Sequence, residues 1–114
     1  MKMPKSIEQD IDHFKHCLSH YKTLRFFLSS QDRYLTYLYI LQFYFDKKEL
    51  SLEELINKIC PKFASRETVK NILNQAIGNQ FIEKKIHSQD KRKKSFVPTS
   101  ITLKEYDWYE KGKK

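Results

Sequence analysis

Two groups of residues in this chain have types and spacing suited to chemistry. The first is a run of cations, Lys91, Arg92, Lys93 and Lys94, that follows a helix-patterned segment carrying Arg66, Thr68, Lys70, Asn71 and Asn74. Clustered Lys and Arg neutralise phosphates or enter a minor groove, whose negative potential attracts Arg in particular. Arg66, Thr68 and Lys70 suit phosphates or guanine edges, and the amides of Asn71 and Asn74 match the donor and acceptor of adenine. Taken singly, a basic turn or a polar helix face is an ordinary solvated surface. Adjacent in one short stretch, the two together suit a nucleic acid.

The second group is His13, His16, Cys17 and His20, which fall on one stripe of a helix away from Ile7, Ile11, Phe14 and Leu18. These side chains ligate zinc, but one helix offers two ligands at i and i+4, and a tetrahedral site needs others from elsewhere, such as a dimer mate. Ordinary imidazoles on an exposed or interface face are the favoured expectation, with no metal and no other cofactor. Cys17 has no Lys or Arg one turn away to lower its pKa, which argues against a redox-sensing thiol. The sequence contains no G-x-S-x-G, no Gly-rich phosphate loop and no H-E-x-x-H, and its carboxylates are scattered, so an enzyme is not expected. Trp108, with Tyr106 and Tyr109, is expected to seal a core rather than to stack on bases.

The elements that must position these groups follow from composition and periodicity. With 114 residues, 39% apolar and 32% charged, two Gly and three Pro, the chain is expected to form one soluble, helix-rich domain. Lys and Arg number 22 against 14 Asp and Glu, a formal net charge of +8. The excess is local, since residues 62 to 94 hold nine basic and three acidic side chains. Such a surface favours an anionic partner. Cys17 and Cys60 form no C-x-x-C pair, and no apolar leader precedes the first helix, which predicts a reduced, cytoplasmic protein. The most apolar run, from Tyr34 to Phe45, is shorter than the roughly 20 residues of a membrane-spanning helix and is interrupted by Thr36 and Gln42, so no membrane association is expected.

Ser6 and Gln9 resemble a capping box, and Ile7, Ile11, Phe14, Leu18, Tyr21, Leu24 and Leu28 continue at helical spacing, predicting one helix over 6–28. Ser29, Ser30 and Asp32 offer a cap for a second helix over 31–46. That helix is apolar nearly all round, with Leu35, Leu38 and Phe45 on one side and Tyr34, Tyr37, Leu41 and Tyr44 on another. One stripe must serve the core. The tyrosine stripe is expected to be left for a partner, which makes Tyr34, Tyr37, Leu41 and Tyr44 the expected dimer interface.

Ser51 and Glu54 open a short helix that Pro61 ends, and Ser65 caps the next, whose buried face is Val69, Ile72, Leu73, Ala76 and Ile77. A strand near 81–86, a cationic turn and a second strand at Phe96 and Val97 predict a hairpin. Thr102 and Glu105 are expected to cap a last helix over 102–111. The fold class expected is therefore α+β, mostly helical: a winged helix-turn-helix with N-terminal dimerisation helices over 6–46, a helix-turn-helix over 51–79, a wing over 81–97 and a short C-terminal helix.

Residues 65–82 (SRETVKNILNQAIGNQFI), followed by Asp90-Lys91-Arg92, resemble the recognition helix and wing of the multiple-antibiotic-resistance-regulator (MarR) family and its single-domain staphylococcal-accessory-regulator relatives. That resemblance, covering about Leu50 to Leu103, implies a cytoplasmic homodimer on pseudo-palindromic duplexes. It implies Thr68, Lys70 and Asn71 at the groove-reading positions and Arg92 at the wing tip. Members usually carry Gly immediately before the first wing strand, where Gln80 stands here, with Gly78 two residues earlier, so the exit turn is expected to differ. The chain ends soon after Trp108, so a dimer is expected to rely on the first two helices.

The function expected is a sequence-specific, double-stranded-DNA-binding transcription regulator. The second expectation is a winged-helix protein-interaction module that docks through its aromatic second helix. Salt dependence separates them, because phosphate binding weakens steeply with salt and aromatic docking does not.

Overall fold

The computed structural model describes residues 5–86, 88, 89 and 91–112. Asp90, part of the wing motif, lies outside them. Helices α1 (Lys5–His20), α2 (Lys22–Phe27), α3 (Gln31–Phe45), α4 (Leu52–Ile59) and α5 (Arg66–Gly78) lead into strands β1 (Ile82–Ile86) and β2 (Lys94–Pro98), and α6 (Ser100–Gly112) follows. This is the winged helix-turn-helix expected from the sequence. No described helix is long and apolar enough to cross a membrane.

Local chemistry sets most boundaries. The Ser30 side chain accepts from the Arg33 amide at the start of α3, Ser65 accepts from Thr68 at α5, and Ser51 and Glu54 form a full capping box at α4. Cys60, ahead of Pro61, is extended (φ −96°, ψ 151°), as the pre-proline clash requires. Both α3 and α5 end in a reversed turn with a left-handed residue that is not glycine: Lys47 at φ 58° and Gln80 at φ 65°. In α5 the Phe81 amide donates to the Ala76 carbonyl and Gln80 to Ile77, the paired bonds of a Schellman cap. At this exit turn Gln80 itself takes the conformation that glycine ordinarily supplies.

The first helix departs from expectation. It breaks at Tyr21, which is extended (φ −111°, ψ 107°), so 6–28 becomes α1 and α2. The cause is tertiary. Glu105 Oε1, buried in α6, accepts from the Thr23 amide at 2.9 Å and the Thr23 hydroxyl at 2.7 Å, capping α2 from 82 residues away. Arg25 reinforces the break by donating to the Leu18 and Ser19 carbonyls that end α1. Glu105 and Thr102 consequently do not cap α6, which begins at Ser100, before either of them. Thr102 instead donates to the Phe81 carbonyl at 2.6 Å, and Thr99 to that of Gln80 at 2.8 Å, tying the recognition-helix exit to α6. Ser6 lies inside α1, not at its cap.

The core reverses the stripe expected on the second helix. Tyr37 and Leu41 are only 3% and 4% exposed, packed with Phe27, Ile40, Leu55 and Val69, and Tyr37 stacks on Phe27 at 4.7 Å. A stripe already inside the monomer's core cannot be the free dimer face. Tyr34 is partly buried against the same cluster, and Tyr44 is exposed beside Phe45. Leu38 and Phe45, from the side assigned to the core, are exposed.

A similar reversal affects α1. Cys17 is fully buried, its thiol 3.6 Å from His13 Nε2, and His13 Nε2 donates to the Tyr109 carbonyl at 3.0 Å. His16 and His20 stack on each other on the exposed side, with centroids 4.2 Å apart. The stripe is thus divided between core and solvent, and among the described residues no three His, Cys, Asp or Glu side chains could hold a metal. Ile7 (46%) and Phe14 (41%) are exposed along with Ile11.

Candidate nucleic-acid interface

The outward face of α5 is set by what the helix buries. Val69, Ile72, Leu73 and Ala76 face the core, so helical spacing turns Glu67, Lys70, Asn71, Asn74 and Gln75 away from it, and all five are exposed. Two other expected contacts are partly committed. Arg66 Nη2 donates to Glu53 Oε1 at 2.8 Å, linking the two helices of the helix-turn-helix. The Thr68 hydroxyl accepts from Ser65 Oγ at 2.9 Å and so belongs to the helix cap.

Strands β1 and β2 pair antiparallel from Ile82 with Pro98 to Ile86 with Lys94. A third segment joins them, since Phe96 donates to the Leu50 carbonyl at 3.0 Å and Ser51 bridges Ser95. Phe96 is buried, which anchors the wing to the core. At the far end, the Ser88 amide and hydroxyl donate to the two carboxylate oxygens of Glu49. Lys91, Arg92 and Lys93 lie on the exposed turn, whereas Lys94 is already the first residue of β2.

Wing and helix meet through α4. Lys84, Arg92, Lys93 and Lys94 line one shallow cleft with Ser51 and Glu53, and Glu53 is the partner of Arg66 at the start of α5. The wing cations and the start of the recognition helix are therefore joined through Glu53, which lines the cleft and pairs with Arg66. Lys84 was not among the residues singled out from the sequence. Its signal was its place one strand residue from Lys85, on a strand whose partner face holds Phe96.

On its other flank α5 meets the start of α3. Arg33 Nη2 donates to Gln75 Oε1 at 3.0 Å, and Thr68, Asn71 and Gln75 line a cleft with Ser29, Ser30 and Arg33. Gln75 was also missed, although it follows Asn71 by one helical turn.

Neither a protein-family model nor a curated protein sequence matches this chain. Solved structures do. MepR of S. aureus bound to ethidium bromide aligns with a TM-score of 0.69 at 17% identity, over 94% of this chain and 68% of MepR. The S. aureus MepR–DNA complex aligns with a TM-score of 0.64 at 16% identity, over 95% of this chain and 79% of MepR. The heme sensor PefR in complex with heme and carbon monoxide gives 0.57 at 17% identity, over 93% and 67%. MepR and PefR are MarR-family winged-helix regulators. The fold of this chain is accordingly that of the MarR-like winged-helix regulators.

Proposed function

We propose that this chain is a sequence-specific, double-stranded-DNA-binding transcription regulator, not an enzyme, acting in the cytoplasm as a homodimer. Helix α5 enters the major groove and the wing over 89–94 lies on the backbone or in the minor groove. The observation that carries this is the cluster of Lys84, Arg92, Lys93 and Lys94 in one cleft of the wing, together with the exposed polar face of α5 that carries Lys70, Asn71 and Asn74. A helix of this width fits the major groove, and flanking cations neutralise phosphates on either side. That MepR, of like fold, has been solved with DNA adds support. Asn71, Asn74 and Lys70 read base edges, while Lys91, Arg92, Lys93 and Lys94 position the protein.

The second copy covers α1. Its exposed Ile7, Ile11 and Phe14 recur at helical spacing beside Tyr109 of α6, and Trp108 is exposed nearby. The radius of gyration is 15.6 Å, against about 13 Å for a compact chain of this length, so the molecule is elongated and carries apolar surface that a monomer leaves wet. In this proposal residues 5–27 and α6 are the dimerisation arm, and 51–79 and 82–98 the DNA-binding part.

Selection from a random duplex pool tests the function. A two-fold symmetric motif is expected, with an affinity that falls steeply with salt. Replacing Lys91, Arg92, Lys93 and Lys94 with Ala should weaken binding to all duplexes and flatten the log–log salt slope by about 0.9 for each phosphate no longer neutralised. Recovery of no motif, together with salt-insensitive binding, would reject the proposal.

A further inference from the structure

One amide on the recognition helix is not free to choose which way it faces. Gln75 points to the start of α3, where Arg33 is held on three sides. Its guanidinium carbon lies 4.4 Å from the centroid of Phe26, Nη1 donates to Ser29 Oγ at 2.8 Å, and Nη2 donates to Gln75 Oε1 at 3.0 Å. Ser29 is fixed in turn, its hydroxyl donating to the Phe26 carbonyl at 2.7 Å. The guanidinium plane is thereby set by an aromatic face and a serine that is itself anchored.

The consequence is chemical. A guanidinium has five N–H donors and no acceptor, so the Gln75 atom it touches must be the carbonyl oxygen. The Gln75 amino group is then the edge left for another partner, on a residue that lines a cleft with Thr68 and Asn71. Asn71 and Asn74 are exposed and can turn either edge outward, the freedom that adenine recognition needs, because adenine presents one acceptor and one donor in the major groove. Guanine presents two acceptors, N7 and O6.

We propose that Arg33 is a positioning residue that holds Gln75 as a donor, so that the base facing Gln75 is preferred as guanine, which offers two acceptors, over adenine, which offers one. This rests on the DNA-binding function proposed above and names part of its specificity. The preference arises because guanine accepts from the Gln75 amino group at N7 and O6, whereas adenine accepts at N7 alone, and Arg33 holds the Gln75 oxygen that would otherwise turn to accept from the adenine amino group.

The test is titration of the selected duplex, with guanine or adenine placed at each symmetric position, against the wild type, Gln75→Ala, Arg33→Ala and Arg33→Lys. In the wild type, one position should prefer guanine by roughly tenfold, the scale of one good base contact. Gln75→Ala should abolish that preference alone. Arg33→Ala should bring it to within about threefold by improving binding to adenine. Arg33→Lys keeps the charge but not the planar fork, and should lose the preference while retaining the wild-type salt slope. Melting of each variant, followed by circular dichroism, guards against loss of fold, and the lysine variant covers an unstable alanine variant. If the wild type binds a symmetric duplex but Gln75→Ala or Arg33→Lys keeps every base preference, the assignment of Gln75 and Arg33 is overturned and DNA binding stands. If the wild type binds no duplex specifically, the DNA-binding function falls and this inference with it.

Discussion

Replacing Glu105 with Ala should destabilise the protein more than any surface change, because this one carboxylate joins α6 to the α1–α2 break. Its Oε1 accepts from both the amide and the hydroxyl of Thr23, at 2.9 and 2.7 Å, and both residues are buried. A hydrogen bond to a charged group contributes about 1.5–3 kcal/mol, and a buried donor left without a partner costs about 1–3 kcal/mol. Removing the carboxylate also removes its own desolvation cost, which offsets part of the loss. A net loss of about 3 kcal/mol follows, corresponding to a fall in Tm of roughly 12 °C for a chain of this size. Glu105→Gln keeps an acceptor without the charge and should lose about half as much. Urea unfolding at fixed protein concentration measures both, and a cycle with Thr23→Val isolates the side-chain bond. A loss below about 0.5 kcal/mol in Glu105→Ala, or no coupling in the cycle, would refute the assignment of Glu105 as the remote cap of α2.

Other perturbations have equally definite outcomes. Lys47→Gly and Gln80→Gly should each stabilise by about 0.5–1 kcal/mol in urea, because both residues sit at positive φ, whereas Gln80→Val should destabilise. Tyr37→Phe should raise stability by about 1 kcal/mol, because the Tyr37 hydroxyl is buried and has no hydrogen-bond partner among the described residues. Burial, with Tyr106 and Tyr34 nearby, holds the Tyr37 phenol protonated well above the ordinary value near 10. The unfolded chain therefore releases this proton first, and stability should fall as pH rises beyond about 10, a loss that Tyr37→Phe removes. Phe14→Glu should give monomers by sedimentation and weaken binding to a symmetric duplex, whereas Tyr44→Glu should leave the oligomeric state unchanged.

What was legible from the sequence was written in local chemistry. Ser30, Ser51 with Glu54, and Ser65 start their helices because a hydroxyl can reach an amide three residues on, a distance fixed by helix geometry. Pro61 ends α4 by a clash with its own neighbour. The burial of Val69, Ile72, Leu73 and Ala76 follows from helical spacing, and with it the outward direction of Lys70, Asn71 and Asn74. The order of elements around them was enough to identify a winged helix.

Tertiary structure decided whatever depended on residues far apart in the chain. Nothing within residues 6–28 says that the helix breaks at Tyr21, because the carboxylate that caps α2 comes from Glu105. Thr102 and Glu105 have the spacing of a capping box, but buried partners at Phe81 and Thr23 claim them instead. On a helix apolar all round, periodicity cannot say which stripe is inside. Phe27 and the α4 and α5 side chains made that choice when they packed on Tyr37 and Leu41, and Leu38 and Phe45 were left in solvent. The same holds for α1, where the contact of His13 with Tyr109 and the burial of Cys17 turned Ile7, Ile11 and Phe14 outward. Helical spacing specifies which side chains share a face, and only the surfaces that meet it specify which face is buried.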